Sequence, residues 1–467
     1  MSERSDREEK ILSFWQENKI FEKSLDKKSP KGEFVFYEGP PTANGRPGIH
    51  HLEARAFKDA IPRYKTMQGF HVGRKAGWDT HGLPVELEVE KILGLKSKKE
   101  IEKFGVGKFN EECKKNAWKY IDEWKNFSDR IGFWADMDHP YVTYHNPYIE
   151  AVWSIVAEIE KKKLLYKDYK VVPWCPRCET ALSSHELAQG YKDTKDLSVT
   201  VEFRVRSVGE RFFQVLGKNP QTIQKSSADS TPVSLLAWTT APWTLPGNIA
   251  LAVGEEIDYV EIEKKDVGVG EKIRFILAKS RLKNVFGDDN YEIVREMKGK
   301  DLVGLEYEPP YSFVKEVYKG EGMDKAYHVY PANFVTTEDG TGIVHTAAMY
   351  GQEDFEFGTK FGLPKYHLVN ESGHFTDEAG FLAGKFVKDE ETNVSIIKDL
   401  AERNLFFAKE KYEHSYPFCW RCQTPLIYYA RDSWYIAMSK LRDKLVNENK
   451  KINWEPDYIK EGRFGEW

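Results

Sequence analysis

Cysteine is scarce: five in 467 residues cannot staple a secreted disulfide scaffold, and four of them fall in two C-x2-C pairs, a spacing that points to metal. Long apolar runs are absent, none approaching the roughly 18 residues of a membrane span. The opening decapeptide MSERSDREEK is too charged and too acidic for a secretory or transit peptide, so a cytoplasmic protein without membrane contact is expected. Charge of one sign is lacking too. Lys plus Arg total 69 against 74 Asp plus Glu, and the net charge of -5 gives no global pull toward polyanions, so any nucleic-acid contact must be local. No internal repeat and no low-complexity tract occurs, which removes solenoids and disordered arrays. What is present, 40% apolar and 31% charged residues, is ordinary globular composition, and at about 150 residues per domain the length suggests roughly three domains.

The first segment has the spacing of an amphipathic helix with Ile11, Phe14 and Trp15 on one face, followed by a polar stretch over 27–33. A short aromatic strand, Phe34-Val35-Phe36-Tyr37, is broken by Gly39-Pro40-Pro41. A Gly/Pro-rich loop then enters a helix near His51. A second strand-like run over 70–73 leads to the loop Gly77-Trp-Asp-Thr-His-Gly-Leu-Pro84 and a helix over 86–91. Two loops following two strands are where open α/β sheets place ligands. Phe109, Cys113, Ala117, Tyr120, Trp124 and Phe127 form one helical stripe and Ile149, Val152, Trp153, Val156 and Ile159 another, both expected to be core faces. Near residue 195 the texture changes, with Leu197, Val199, Val201, Phe203 and Val205 alternating as in a half-buried strand. Strands and loops, among them a polar loop over 217–231, dominate to about 385, and helical texture returns over 393–404. The expected organisation is 1–194 as the first half of an α/β domain with the first cysteine knuckle, 195–385 as an inserted strand-rich domain, and 386–467 as the return with the second knuckle.

Cys175-Pro-Arg-Cys178 and Cys419-Trp-Arg-Cys422 can each present two thiolates to one tetrahedral Zn²⁺; four sulfurs would close the site and make it structural. Free thiols or a redox pair are the alternatives. Cys113 belongs to its apolar stripe. The loop from Tyr37 to His51 sets glycines, prolines and paired histidines ahead of a helix, where free amides and the helix dipole favour phosphate, although a plain turn has the same composition. Asp79 and His81 beside Trp78 could hold a small ammonium-bearing ligand, or Asp79 could simply cap a helix. In the middle segment, Thr239, Thr240 and Thr244 lie among Trp238 and Trp243, and His345 precedes Asp354 by nine residues. Hydroxyls, an imidazole and a carboxylate are the materials of a small hydrolytic or ester-binding pocket, though Thr-rich strands also arise from packing alone. Nine lysines against four acids over 91–119 make either a phosphate-facing surface or a solvated helix face.

Tyr37-Glu-Gly-Pro-Pro-Thr-Ala-Asn-Gly45, Arg63-Tyr-Lys-Thr-Met-Gln-Gly69 and Gly77-Trp-Asp-Thr-His-Gly-Leu-Pro-Val-Glu86 closely resemble the isoleucyl-tRNA synthetases, a class I aminoacyl-tRNA synthetase family. The similarity continues in family order through Cys175 to Cys178, Leu182-Ser-Ser-His-Glu186, Trp243-Thr-Leu-Pro-Gly-Asn248 and Lys460-Glu-Gly-Arg-Phe-Gly-Glu-Trp467. The resemblance implies a Rossmann-like catalytic domain interrupted by an editing domain. It also implies activation of isoleucine with ATP and Mg²⁺, transfer to tRNA(Ile), structural zinc and a monomeric enzyme. It places ATP against Asn44, Gly48 and His51, with His50 and His51 as catalytic histidines. Gly39, Pro40 and Asp79 fall on the isoleucine, with Asp79 on its ammonium. Thr239, Thr240, Asn248, His345 and Asp354 match the editing pocket, with Asp354 on the ammonium of the mischarged aminoacyl group. A hydrophobic pocket separates isoleucine from valine by only about 1–3 kcal/mol per methylene, which is why a second, hydrolytic sieve is needed; the isoleucine enzyme is itself the standard illustration of that limit.

The chain departs from the family pattern at several points. The His-x-Gly-His signature reads Gly48-Ile-His-His51, with its first His replaced by Gly and His50 offered in place of Gly. Ala241 stands for the third Thr of the editing run, and Ala348 where Pro is common. No Lys-Met-Ser-Lys-Ser occurs, and family members continue well past the point matching Trp467, so the expectation is an N-terminal part lacking that loop and the anticodon-binding domain. Two other readings stay open: a free-standing deacylase acting through 195–385, and a noncatalytic tRNA-binding protein.

Overall fold

A computed structural model describes residues 3–206, 231–265, 272–287 and 291–466. The expected polar loop over 217–231 lies, apart from Thr231, outside the described residues. The chain forms two compact units, Met1–Tyr166 with Tyr435–Trp467, and Lys167–Trp434. No helix among the described residues is long and apolar enough to cross a membrane.

The first unit opens on α1 (Glu3–Glu17) and α2 (Ile20–Asp26), and α3 (Ile49–Met67) follows the Gly/Pro loop. Trp15 packs edge-on to Trp134 while Ile11 and Phe14 stay exposed. Strands β1 (Lys75–Trp78) and β2 (Asp136–Val142) pair in parallel, and α4 (Leu83–Leu93), α5 (Lys98–Phe104), α6 (Val106–Ala117) and α7 (Ile121–Arg130) fill the crossover such a pair requires. Neither sequence-expected strand forms as such. Residues 34–37 form no strand: the isolated bridges Glu33↔His71 and Thr42↔Asp79 flank them, Phe34 packs edge-on to Phe70, and Val35 is 69% and Tyr37 90% exposed, while the second strand starts at Lys75 rather than 70. Strand preference of aromatic residues expresses packing against neighbours, and beyond Phe34 the run has no strand alongside it.

The stripe over 109–127 breaks at 118–120 into α6 and α7, and its Phe109, Ala117 and Trp124 are buried as expected. The second stripe corrects an expectation. Its residues lie on α8 (Asn146–Lys161), which buries no residue at all; Trp153 is 68% exposed. Periodicity establishes that a face is apolar and leaves open what covers it.

The second unit is built on a sheet that has, among the described residues, nine strands. β5 (Tyr191–Arg204), β6 (Val233–Thr239), β7 (Ala250–Val253), β8 (Asp258–Lys265), β9 (Lys272–Ala278), β10 (Glu292–Lys298), β11 (His328–Pro331), β12 (Ile343–Thr346) and β13 (Phe406–Pro417) run in the order β10-β8-β9-β6-β12-β7-β11, with β5 on β6 and β13 on β5. A smaller sheet pairs β3 (Leu165–Cys175) with β14 (Ile427–Ile436) and β4 (Thr180–Ala181). The unit therefore reaches beyond 195–385 on both sides. β5 begins at Tyr191 and pairs with β13 as far as Pro417, and Ile396 and Leu400 of the helix Glu390–Glu402 are in its core, so the change of texture near 195 falls inside a strand. Val199, Val201, Phe203, Leu235, Leu251 and Tyr307 are fully buried there. Each such side chain contributes about 1.5–3 kcal/mol of burial free energy.

Candidate functional site

In the second unit β6 ends at Thr239, and a tight 3-10 segment, Pro242–Gly247, carries the chain to Asn248 and β7. Thr239 Oγ1 accepts from the Ala241 amide at 3.1 Å, so one of the two candidate threonines shapes the turn itself; Thr240 beside it is half-buried. β12 lies between β6 and β7, and this adjacency brings His345 to Thr244 and Asn248 across roughly a hundred residues of sequence.

The donors and acceptors there run one way. Asn248 Nδ2 donates to the Ala250 carbonyl at 3.0 Å, which fixes the amide's orientation because a carbonyl can only accept. Its second hydrogen goes to His345 Nδ1 at 2.9 Å, so the imidazole carries its proton on Nε2 and donates to Thr244 Oγ1 at 2.9 Å. Thr244 in turn donates to the Ala241 carbonyl at 2.8 Å. Burial pushes the His345 pKa down to about 3, so the ring is neutral at physiological pH. Asp354 sits in the first turn of the helix Gln352–Phe361, where the dipole favours an anion. Protein packed around its carboxyl nevertheless pushes the pKa up to about 7, against the lowering effect of a hydrogen bond from the Ala347 amide. A neutral, fully bonded imidazole and a carboxylate poised near neutrality are thus held on one strand and the helix that follows it.

In the first unit, Asp79 is tied to the first loop. Its amide donates to the Pro41 carbonyl at 3.0 Å, and its carboxylate accepts from Thr42 Oγ1 and the His81 amide, both at 3.3 Å. An open cavity of about 360 Å³ is lined by Gly39, Asn44 and His51 and by Glu38, Arg55 and Lys58. Arg55 and Lys58 are the residues that sequence reasoning missed. They follow His51 by four and seven positions on α3, the spacing of a shared helix face, which is the signal that could have found them. His51 Nδ1 accepts from the Gly48 amide at 2.8 Å, capping α3, and leaves Nε2 to carry the proton. Desolvation first, then His50, Arg55 and Lys58, lower its pKa. His50 is exposed and its ring lies 3.8 Å from that of His51. A Cβ at Gly48 would stand 2.9 Å from His50 Cε1, so His50 occupies the space a side chain at 48 would take. Pro40 lines a separate cleft of about 20 Å³ with Gly77, Trp78 and Tyr141, room for a water rather than an aliphatic side chain. The Tyr141 ring lies across Gly77, where a Cβ would be 2.2 Å from its Cζ.

The four paired cysteines converge in the second unit, with all four Sγ atoms within 4.8 Å of one another and Cys175 to Cys422 at 3.4 Å. Zn–S bonds of about 2.3 Å in a tetrahedron require S···S separations near 3.8 Å, so the donor set fits a metal such as zinc. The knuckles are built alike: Glu179 and Gln423, each following the second cysteine of its pair, both adopt positive φ. Glu186, on the helix Ser184–Ala188 that follows the first knuckle, accepts from Trp420 Nε1 and pairs with Arg421, tying that helix to the second knuckle. Hydrogen bonds from the thiols of Cys175 and Cys178 pull Cys419 below the ordinary thiol range. Four sulfurs this close cannot all ionise without a cation among them. Cys113 packs with Val89, Ile101 and Phe109, and burial pushes its thiol up to about 11, as a core residue should behave.

A family model described as tRNA synthetases class I (I, L, M and V) matches residues 10–467. Similar curated relatives are isoleucine--tRNA ligases. That of Clostridium novyi (strain NT) is 48% identical over 461 residues, 98% of this chain and 41% of that protein. That of Bacillus thuringiensis (strain Al Hakam) is 47% identical over 99% of this chain and 41% of its own length. That of Dehalococcoides mccartyi (strain CBDB1) is 47% identical over 98% and 45%. The chain therefore spans less than half the length of these curated relatives.

Proposed function

The chain belongs to the class I tRNA synthetases (I, L, M and V), and from that premise we propose that it is part of an isoleucine--tRNA ligase, its first unit binding ATP and isoleucine and its second hydrolysing mischarged valyl-tRNA(Ile). The observation that carries the reading is that relatives named for one activity match 98% of the chain at 48% identity.

In the first unit, His51 donates from Nε2 to phosphate at the N-terminus of α3, with Arg55 and Lys58 adding charge and Asn44 and Gly48 backbone close by. His50 fills the place left by Gly48 and supplies the second imidazole. Asp79 takes the isoleucine ammonium, beside Gly39 and Pro40. Mg²⁺ enters as part of the ATP substrate complex. The carboxylate attacks the α-phosphorus and pyrophosphate leaves; the residues act by orientation and charge stabilisation. In the second unit, Asp354 takes the ammonium of the valyl ester, and Thr239, Thr240, Asn248 and His345 form the pocket. Cys175, Cys178, Cys419 and Cys422 hold one structural zinc. The reading takes the enzyme to be a monomer working in the cytoplasm. A free-standing deacylase is the second reading, favoured by the containment of the hydrolytic pocket within one unit.

The test is binding of non-hydrolysable aminoacyl-adenylate analogues by titration calorimetry. The isoleucyl analogue should bind tightest, about tenfold or more over the valyl one. Preference for the leucyl or methionyl analogue would overturn the isoleucine reading, and no binding by folded protein would overturn the assignment of ATP and isoleucine binding to the first unit.

A further inference from the structure

We propose that Tyr307 is a positioning residue that, through Asn248, sets the hydrogen-bonding state of His345, so that His345 braces the Thr244 turn and transfers no proton. The proposal rests on the reading of this pocket as an ester-hydrolysing site. Nothing in the sequence marks Tyr307, which lies between β10 and β11 and far from either pocket motif. Its side chain is fully buried, its backbone amide donates to Tyr327 and its ring packs edge-on to Phe203. The hydroxyl donates to Asn248 Oδ1 at 2.7 Å. Desolvation raises its pKa well above that of an ordinary tyrosine, so the donor is permanent.

The consequence follows from counting lone pairs. With Oδ1 held by Tyr307 and one Nδ2 hydrogen on Ala250, the remaining hydrogen must meet a bare His345 Nδ1, and Nε2–H is committed to Thr244. Both ring nitrogens are occupied and the ring is buried, so none is left to activate water. Thr244 then passes the order to the Ala241 carbonyl, at the turn that Thr239 caps. Without the Tyr307 hydroxyl, Asn248 Oδ1 is a buried acceptor with no donor, the amide loses one of the bonds that oppose its rotation, and the Nδ1–H form of His345 becomes accessible.

The test uses the full chain with ¹⁵N-labelled histidine, His345 being assigned by the signal lost in His345→Gln. Long-range proton–nitrogen correlation should show a single form with protonated Nε2 and bare Nδ1, giving way to a mixture in Tyr307→Phe. A protonated Nδ1 in the unaltered protein, or no change in Tyr307→Phe, would overturn the proposal. Valyl-tRNA(Ile) deacylation gives an independent arm. Tyr307→Phe should lose roughly tenfold, the scale of one broken buried hydrogen bond. His345→Gln, which can donate but cannot titrate, should keep most of the activity that His345→Ala loses; equal inactivity of the two would make His345 a proton carrier and refute the brace. Should the unaltered protein hydrolyse no aminoacyl ester, the pocket's functional reading falls, and the tautomer experiment still decides the role of Tyr307.

Discussion

The two candidate sites are built on opposite physical plans. In the second unit a directed chain of hydrogen bonds runs from a fully buried hydroxyl through an amide and an imidazole to a turn, and each polar atom along it has a partner. In the first unit the site is a pair of loops pinned by isolated bridges, an exposed His50 and an open cavity. On the proposed reading, a pocket that must reject one methylene gains from rigid, pre-set walls, whereas a site that admits ATP must stay open until its ligand orders it. The difference teaches where substitutions will be felt: in the second unit chiefly through stability, and in the first chiefly through ligand binding.

The largest effect that would sharpen this contrast is loss of the cysteine site. Metal analysis should return about one Zn²⁺ per chain, and Cys175→Ser should abolish it, removing binding free energy on the order of 10 kcal/mol from the second unit's folding. Cys113→Ser, at a half-buried position beside Val89, Ile101 and Phe109 of the first unit, should leave the zinc content unchanged. Next in size, Asn248→Ala strands the Tyr307 hydroxyl and His345 Nδ1, at about 1–3 kcal/mol each in chemical denaturation. Thr42→Ala, which removes only a 3.3 Å bond to Asp79, should cost less than about 1 kcal/mol. Equal costs would erase the distinction.

Acidity should separate the units as well. Burial lowers His345 to about 3 and His367 to about 4, whereas the unfolded chain takes up those protons near 6.5. The stabilisation is therefore complete above about 6.5 and is lost as pH falls toward those values, because the unfolded state then binds more protons than the native one. Urea melts at descending pH should show this slope, reduced in His345→Gln. In activity, a carboxyl whose pKa is raised to about 7 captures an ammonium only above it. The kcat/KM of deacylation should therefore decline as pH drops through about 7. The smallest effect belongs to the first unit: His50→Ala should weaken binding of the isoleucyl-adenylate analogue by less than about tenfold while leaving the melting temperature unchanged, since the ring is exposed.

Much of the molecule was legible before its structure. The cysteine spacing, the buried stripe on α6 and α7, and the presence of a strand after 195 all describe local chemistry that survives folding, but that strand is not half-buried: Ser198 and Thr200 are buried beside Val199 and Val201, because β5 lies inside the sheet with β6 and β13 on its two sides. Legibility failed where the answer depended on a neighbour. The aromatic run 34–37 has strand composition but no neighbouring strand, and the α8 stripe is apolar yet uncovered. The same limit hid Tyr307, whose role exists only because the fold carries its hydroxyl to Asn248 across 59 positions. Arg55 and Lys58 were within reach, since helical spacing from His51 places them on its face.

The most direct test of the central claim, that the second unit holds a self-contained hydrolytic site organised around Asp354, is deacylation of valyl-tRNA(Ile) against isoleucyl-tRNA(Ile) by this chain and by its Asp354→Ala variant. The account predicts selective hydrolysis of the valyl ester, abolished by the substitution. Hydrolysis that ignores the amino acid, that survives Asp354→Ala, or that is absent from folded, zinc-loaded protein would contradict it.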